Sequence, residues 1–80
     1  MTLRIISPAE ILFEGEVTSV TLPGTKGSFT ILRNHASLIS SLTSGQVVFS
    51  RNQENNDTEK VDVAGGIVVV EKNLISVCLD

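Results

Sequence analysis

Eighty residues carrying a formal net charge of −3 and a sequence pI of about 4.9 make one domain, 1–80, with no basic stripe to displace counterions from nucleic acid. Aromatic residues are limited to Phe13, Phe29 and Phe49, too few for a base-stacking platform, and Cys78 is the only cysteine, which excludes an intramolecular disulfide. A chain this short buries only about 60% of its unfolded surface, so the 41% of hydrophobic residues must supply an unaided core.

The elements read as short strands from the start. Val, Ile and Thr dominate, and branching at Cβ suits a pleated, half-buried surface. No window repeats apolar residues at helical spacing for three turns. Ser7-Pro8-Ala9-Glu10 offers a helix start, but Phe13 and Gly15 close it, so a short turn is expected there. Candidate strands fall at 3–6, 11–14, 16–22, 28–32, 38–43, 46–51, 59–64, 67–71 and 74–79. Turn signals separate them: Pro23-Gly24 as a type II turn, then Gly27, Ser44-Gly45, the polar stretch 52–58, Gly65-Gly66 and Lys72-Asn73. This punctuation predicts an all-β sandwich or barrel.

Alternation assigns faces. Val61 and Val63 alternate with Lys60, Asp62 and Ala64, which makes a strand with one wet face. Ile75, Val77 and Leu79 point one way and Ser76 and Cys78 the other. The run Ile67-Val68-Val69-Val70 is apolar on both faces, so its outer face calls for cover from a partner chain or a neighbouring loop. The stretch 51–60 is the most polar and reads as a solvated hairpin end. It lacks the glycine that a calcium loop needs for its sharp turn.

Chemistry is harder to find. His35 is the only histidine, has no nucleophile elbow near it, and reads as a structural hydrogen-bonder. Cys78 has no cation beside it in sequence and reads as a small core residue. Glu10, Glu14 and Glu16 read as surface charge, with Gly15 breaking regular geometry between the last two. Neither Gly65-Gly66 nor Gly24-x-x-Gly27 completes a phosphate-binding loop. No catalytic group, cofactor or metal site is expected. One alternative remains at Lys26, at a hairpin tip within Pro23-Gly24-Thr25-Lys26-Gly27: a lipoyl- or biotinyl-type carrier domain, although the flanking residues of those families are absent.

An ordered series of motifs spans the chain. Leu3-Arg4-Ile5-Ile6-Ser7-Pro8 is followed by Phe13-x-Gly15-Glu16-Val17 and Val20-Thr21-Leu22-Pro23-Gly24-Thr25-x-Gly27-x-Phe29. Then come Ile31-Leu32, His35-Ala36-x-Leu38, Leu42-x-x-Gly45-x-Val47, Gly65-Gly66 and Val77-x-Leu79-Asp80. The series resembles the N-terminal domain of the epsilon subunit of bacterial F-type ATP synthases.

The resemblance implies a sandwich of about ten strands and a non-catalytic role in the central stalk, coupling rotation of the c-ring to the gamma subunit. The partners it implies are gamma and the c-ring, at the cytoplasmic face of the inner membrane, with the membrane reached only through the complex. By position, Lys26, Ser28, Arg33, Asn34 and His35 would face the c-ring, as one loop over 26–35. Ser7, Leu38, Ser41, Leu42 and Thr43 would face gamma. Thr30, Arg33 and Ser37 depart from the family's glycine and two prolines, which frees that loop. The family's inhibitory helical hairpin has no counterpart in these 80 residues, so inhibition by inserted helices is not expected of this chain.

Overall fold

The computed structural model describes residues 1–52 and 57–80, with the side chains of Asn52 and Asp57 set aside. Among them are nine strands and no helix: β1 (Thr2–Ile6), β2 (Ile11–Glu16), β3 (Ser19–Gly24), β4 (Gly27–Leu32), β5 (Leu38–Leu42), β6 (Gly45–Asn52), β7 (Asp57–Val63), β8 (Gly66–Glu71) and β9 (Leu74–Leu79). Each lies within a few residues of a strand expected from the sequence.

Hydrogen bonding runs along one path, β2-β1-β9-β8-β5-β3-β6-β7, with β4 on β3. The path is weakest between β5 and β3, where Gly24 and Leu42 are the sole register pair. The sheet folds over at that joint. On one side lie β2, β1, β9, β8 and β5; on the other lie β4, β3, β6 and β7, and the two layers make the expected sandwich. All pairings are antiparallel except β1 with β9, which sets Thr2 beside Leu74 and Ile6 beside Cys78. The two ends of the chain are therefore adjacent and mutually dependent.

Both layers contribute to a single core. Leu3, Ile5, Val68, Val70, Ile75 and Val77 from one layer meet Val20, Leu22, Ile31, Val47 and Phe49 from the other. Each such side chain contributes roughly 1.5–3 kcal/mol when fully buried. Alternation decides membership: in β9, Ile75 and Val77 are buried, and in β8, Val68 and Val70. Phe49 also stacks against Phe13 at 4.4 Å between ring centroids, tilted 41°, and the Arg51 guanidinium covers Phe13 at 4.6 Å. These contacts tie edge strand β2 to the opposite layer.

The short turn at Ser7 is confirmed. The Ser7 amide donates to the Glu10 carbonyl at 2.8 Å, and the Glu10 amide returns a bond to Ser7 Oγ at 3.2 Å. Lys72-Asn73 also falls in a turn as expected, whereas of Gly65-Gly66 only Gly65 lies in the short connection and Gly66 already opens β8.

Four expectations need correction. Pro23 and Gly24 do not form the turn; they end β3, and the turn is Thr25-Lys26. Proline leaves the β3–β4 ladder intact because its carbonyl, and with it the missing N–H, points away from β4, toward the weak joint with β5, where the Thr43 N–H donates to that carbonyl at 2.8 Å. Gly24 is held to glycine by crowding, since a Cβ there would stand 2.7 Å from the Gly27 carbonyl and 2.8 Å from the Phe29 ring. Gly15 does not interrupt β2, which pairs with β1 from Ile11 to Glu16. Cys78 is exposed, because Val77 and not Cys78 takes the inward register. Finally, much of the polar stretch 51–60 belongs to the β6–β7 ladder rather than to a loop: Phe49 pairs with Glu59 and Ser50 with Thr58. The remainder, 53–56, lies outside the described residues.

Candidate docking surfaces

The expected c-ring loop over 26–35 is divided by a strand. Lys26 sits in the two-residue turn before β4 and Ser28 at its start, whereas Arg33, Asn34 and His35 follow its end. At about 3.3 Å per residue the two groups are roughly 20 Å apart. They serve different surroundings.

Lys26 and Ser28 line an open recess of about 520 Å³ with Phe29, Ile39 and Ser41. The hairpin tip is fastened to β5 there: Thr25 Oγ1 and Ser41 Oγ lie 2.9 Å apart, and the Thr25 amide donates to the Ser41 carbonyl at 3.2 Å. Polar residues expected to face two different partners are thus neighbours.

At the other end of β4 the geometry is structural. Asn34 adopts a left-handed backbone, φ 64°, and its amide donates to Asn73 Oδ1 at 3.1 Å. His35 Nδ1 lies 2.7 Å from the Ala36 carbonyl; because a carbonyl only accepts, that nitrogen carries the proton. Arg33 lines a second recess with Met1 and Glu16. Glu16 accepts from the Met1 ammonium at 3.0 Å and from the Thr2 hydroxyl at 2.9 Å. The ammonium, then the Thr2 bond, hold its carboxyl below the usual carboxylate range, with Arg33 adding a smaller pull. Glu14 is exposed as well, and Arg4 Nε lies 2.7 Å from its Oε2, an ion contact in which the N–H is not aimed at the oxygen.

The residues expected to face gamma also divide. Ser41 and Thr43 flank the joint of the two layers, beside Leu42, whereas Ser7 follows β1 at the same end of the sheet but two strands away across β9 and β8. Leu38 stands at the far end of β5, opposite Val70. Leu42 itself is a correction. It is buried in the core, so its side chain has no free surface to offer a partner.

A surface that spacing signalled only in part lies on the outside of the five-stranded layer. Ile39 is 75% exposed and Ile67 50% exposed. Val69, half-buried, pairs directly with Ile39, and Ile67 pairs with Ser41 and Cys78. The doubly apolar run Ile67–Val70 pointed to it; Ile39 was missed because Ser41, its neighbour on the same face of β5, is polar and shows no apolar stripe. Among the described residues no group of three or more His, Cys, Asp and Glu is placed to hold a metal ion. No helix among them is long and apolar enough to cross a membrane.

Fold and surface together define a small β-sandwich domain that displays an apolar strip bordered by hydroxyl side chains. Residues 1–80 match the family described as the ATP synthase delta/epsilon chain, beta-sandwich domain. The chain belongs to that family. It is 37% identical over 84 residues to the ATP synthase epsilon chain of Campylobacter jejuni subsp. doylei, covering 98% of this chain and 65% of that one. It is 40% identical to that of Wolinella succinogenes, covering 100% and 60%, and 40% identical to that of Chlorobaculum tepidum, covering 90% and 80%. The chain thus spans less than two thirds of the Campylobacter and Wolinella relatives.

The fold is shared with a chain in the cryo-EM structure of the Euglena gracilis mitochondrial ATP synthase, OSCP/F1/c-ring, at TM-score 0.86 and 18% identity, covering 96% of this chain and 48% of that one. A chain in the Tetrahymena thermophila mitochondrial ATP synthase central stalk/c-ring structure superposes at TM-score 0.79 and 18% identity, covering 99% and 62%. Lys26 does stand at a hairpin tip, as the carrier alternative required, but the family match replaces that alternative.

Proposed function

We propose that this chain is the β-sandwich part of a non-catalytic epsilon subunit in the central stalk of an F-type ATP synthase, where it couples rotation of the c-ring to the gamma subunit. Membership of the family and relatives named ATP synthase epsilon chain support the assembly. Its place is then peripheral, at the cytoplasmic face of the membrane that carries the ring, and no cofactor is called for.

The observation that carries the docking role is the exposed pair Ile39 and Ile67 on one sheet face, with Val69 between them in the ladder. A rotor subunit transmits torque by being held, and apolar area removed from water holds it at about 25 cal/mol per Å². Gamma is assigned to this strip, with Ser41, Thr43 and Ser7 on its border and Leu38 toward its far end. The polar tip with Lys26 and Ser28 is assigned to the polar loops of the c-ring, because a polar loop calls for a hydrogen-bonding partner. Asn34 and His35, at the opposite end of β4, are assigned to holding the loop between β4 and β5 in place through their bonds to Asn73 and Ala36.

A pull-down and titration with the cognate gamma subunit test this. Ile39→Glu with Ile67→Glu should leave the fold intact, since both side chains already face solvent, and should weaken gamma binding by about a hundredfold or more. Unchanged gamma binding by the doubly substituted chain would remove that face from the interface. Lys26→Glu should weaken ring binding and leave gamma binding unaltered; equal ring binding would remove the tip.

A further inference from the structure

Every sheet that does not close has edges, and an edge exposes unpaired N–H and C=O groups to any strand that can reach them. Among the described residues three strands have a partner on one side only: β2, β7 and β4. Two are blunted. β2 carries Glu14 and Glu16, and its pairing with β1 shifts register near Ile6. β7 carries Glu59, Lys60 and Asp62. The third, β4, reads Gly-Ser-Phe-Thr-Ile-Leu, with no charge, no proline and an unbroken register against β3.

The pairing says which groups are free. Pro23 directs its carbonyl toward β5, so the alternate residues of β3, Val20, Leu22 and Gly24, direct theirs toward β4. Their register partners Ile31, Phe29 and Gly27 are the residues of β4 bonded to β3. Ser28, Thr30 and Leu32 therefore present their amides and carbonyls outward, and all three side chains are exposed. This edge is framed by charge. Lys26 precedes β4 and Arg33 follows it; among the described residues neither makes a direct ion pair, whereas Arg4 and Arg51 each do, and the Glu16 that Arg33 faces across a recess is already held by the Met1 ammonium.

We propose that the β4 edge is a strand-addition site for an extended segment of another protein, uncharged over about six residues and acidic at both ends. Main-chain bonds to Ser28, Thr30 and Leu32 supply the attachment, and Lys26 and Arg33 select the flanking charge. A second copy of this chain is a poor occupant. Antiparallel pairing of two β4 strands about Thr30 sets Lys26 of each copy against Asn34 of the other, next to Arg33, and so gathers cations at both ends without a counter-charge. The inference rests on the free edge and its charges and stands apart from the assignment of gamma to the Ile39 face; it shares Lys26 and Ser28 with the tip assigned to the c-ring, so the two occupants compete there.

The test uses the whole chain and two capped synthetic peptides, Asp-Thr-Val-Thr-Ile-Thr-Val-Glu and the same core with Lys at both ends. Amide exchange, read residue by residue by NMR, should slow by about tenfold or more at Ser28, Thr30 and Leu32 with saturating acidic-ended peptide. The amides of β2 and β7 should be unchanged. Lys26→Glu with Arg33→Glu should reverse the preference in favour of the Lys-ended peptide. Leu32→Lys, at an exposed position, should weaken binding of the acidic-ended peptide less than the double charge reversal does. Protection at β2 or β7 instead, absence of protection at β4 at millimolar peptide, or equal binding of both peptides would overturn the site. Concentration-dependent protection of the same three amides without peptide would overturn the occupant in favour of a second copy.

Discussion

Asn34 and Asn73, 39 residues apart, hold each other reciprocally: the Asn34 amide donates to Asn73 Oδ1 at 3.1 Å, and Asn73 Nδ2 faces Asn34 Oδ1 at 3.4 Å. The Asn73 carbonyl also accepts from the Thr2 amide at 2.7 Å. One turn residue thus joins the loop after β4 to the start of β1. Asn73→Ala leaves the Asn34 amide without its acceptor and should cost about 1 kcal/mol in urea unfolding. Asn34→Gly, which keeps the left-handed backbone, should cost less. The double substitution should fall short of the sum, since both remove one clip. Full additivity would show that the two residues act separately.

Lys72 has φ 52° in the turn between β8 and β9, where a Cβ is crowded against its own backbone. Lys72→Gly should therefore stabilise the chain by roughly 0.5–1 kcal/mol, a rise of a few degrees in Tm for a domain this size. Differential scanning calorimetry reads this directly. A fall in Tm would mean that the greater freedom of glycine in the unfolded chain outweighs the relief.

Gly66 opens β8 with φ 153°, and a Cβ there would lie 3.1 Å from the Leu79 Cα and collide with the Cys78 carbonyl. Those groups belong to the neighbouring strand, so only a backbone shift makes room. Gly66→Ala should cost about 2–4 kcal/mol and lower the urea midpoint accordingly. A loss under about 0.5 kcal/mol would mean that β9 yields without penalty.

The lowered carboxyl of Glu16 has a definite sign in the pH profile. A depressed folded value means that the unfolded chain binds the proton more readily. Stability from this contact is therefore present above the ordinary carboxylate range and is lost as pH falls through the lowered folded value. Urea midpoints compared for the native chain and Glu16→Gln should differ at neutral pH and converge in acid. Salt at about 1 M should shrink the neutral-pH difference, because the pair is exposed. A gap that persists unchanged in acid would assign the effect to packing.

The sequence by itself determined the strand content and most of the turn positions. Ile75 and Val77 share the one face that alternation gave them, because a period of two leaves one face per strand to the interior; in β8 both faces read as apolar, and only register chose Val68 and Val70 for the core. The sequence also carried the family, through motifs spread over the whole chain. The tertiary structure decided what depends on neighbours distant in sequence. Pro23-Gly24 has the chemistry of a turn, yet the Pro23 carbonyl accepts from the Thr43 N–H just past β5 and the strand runs on to Gly24. Cys78 and Leu42 exchanged expected places, one outward and one into the core, because pairing register and not residue type chose their faces. The docking surfaces belong to the same class. Ile39 meets Val69 across a ladder, and Lys26 and Arg33 flank a free edge, only because the sheet folds over where Gly24 meets Leu42.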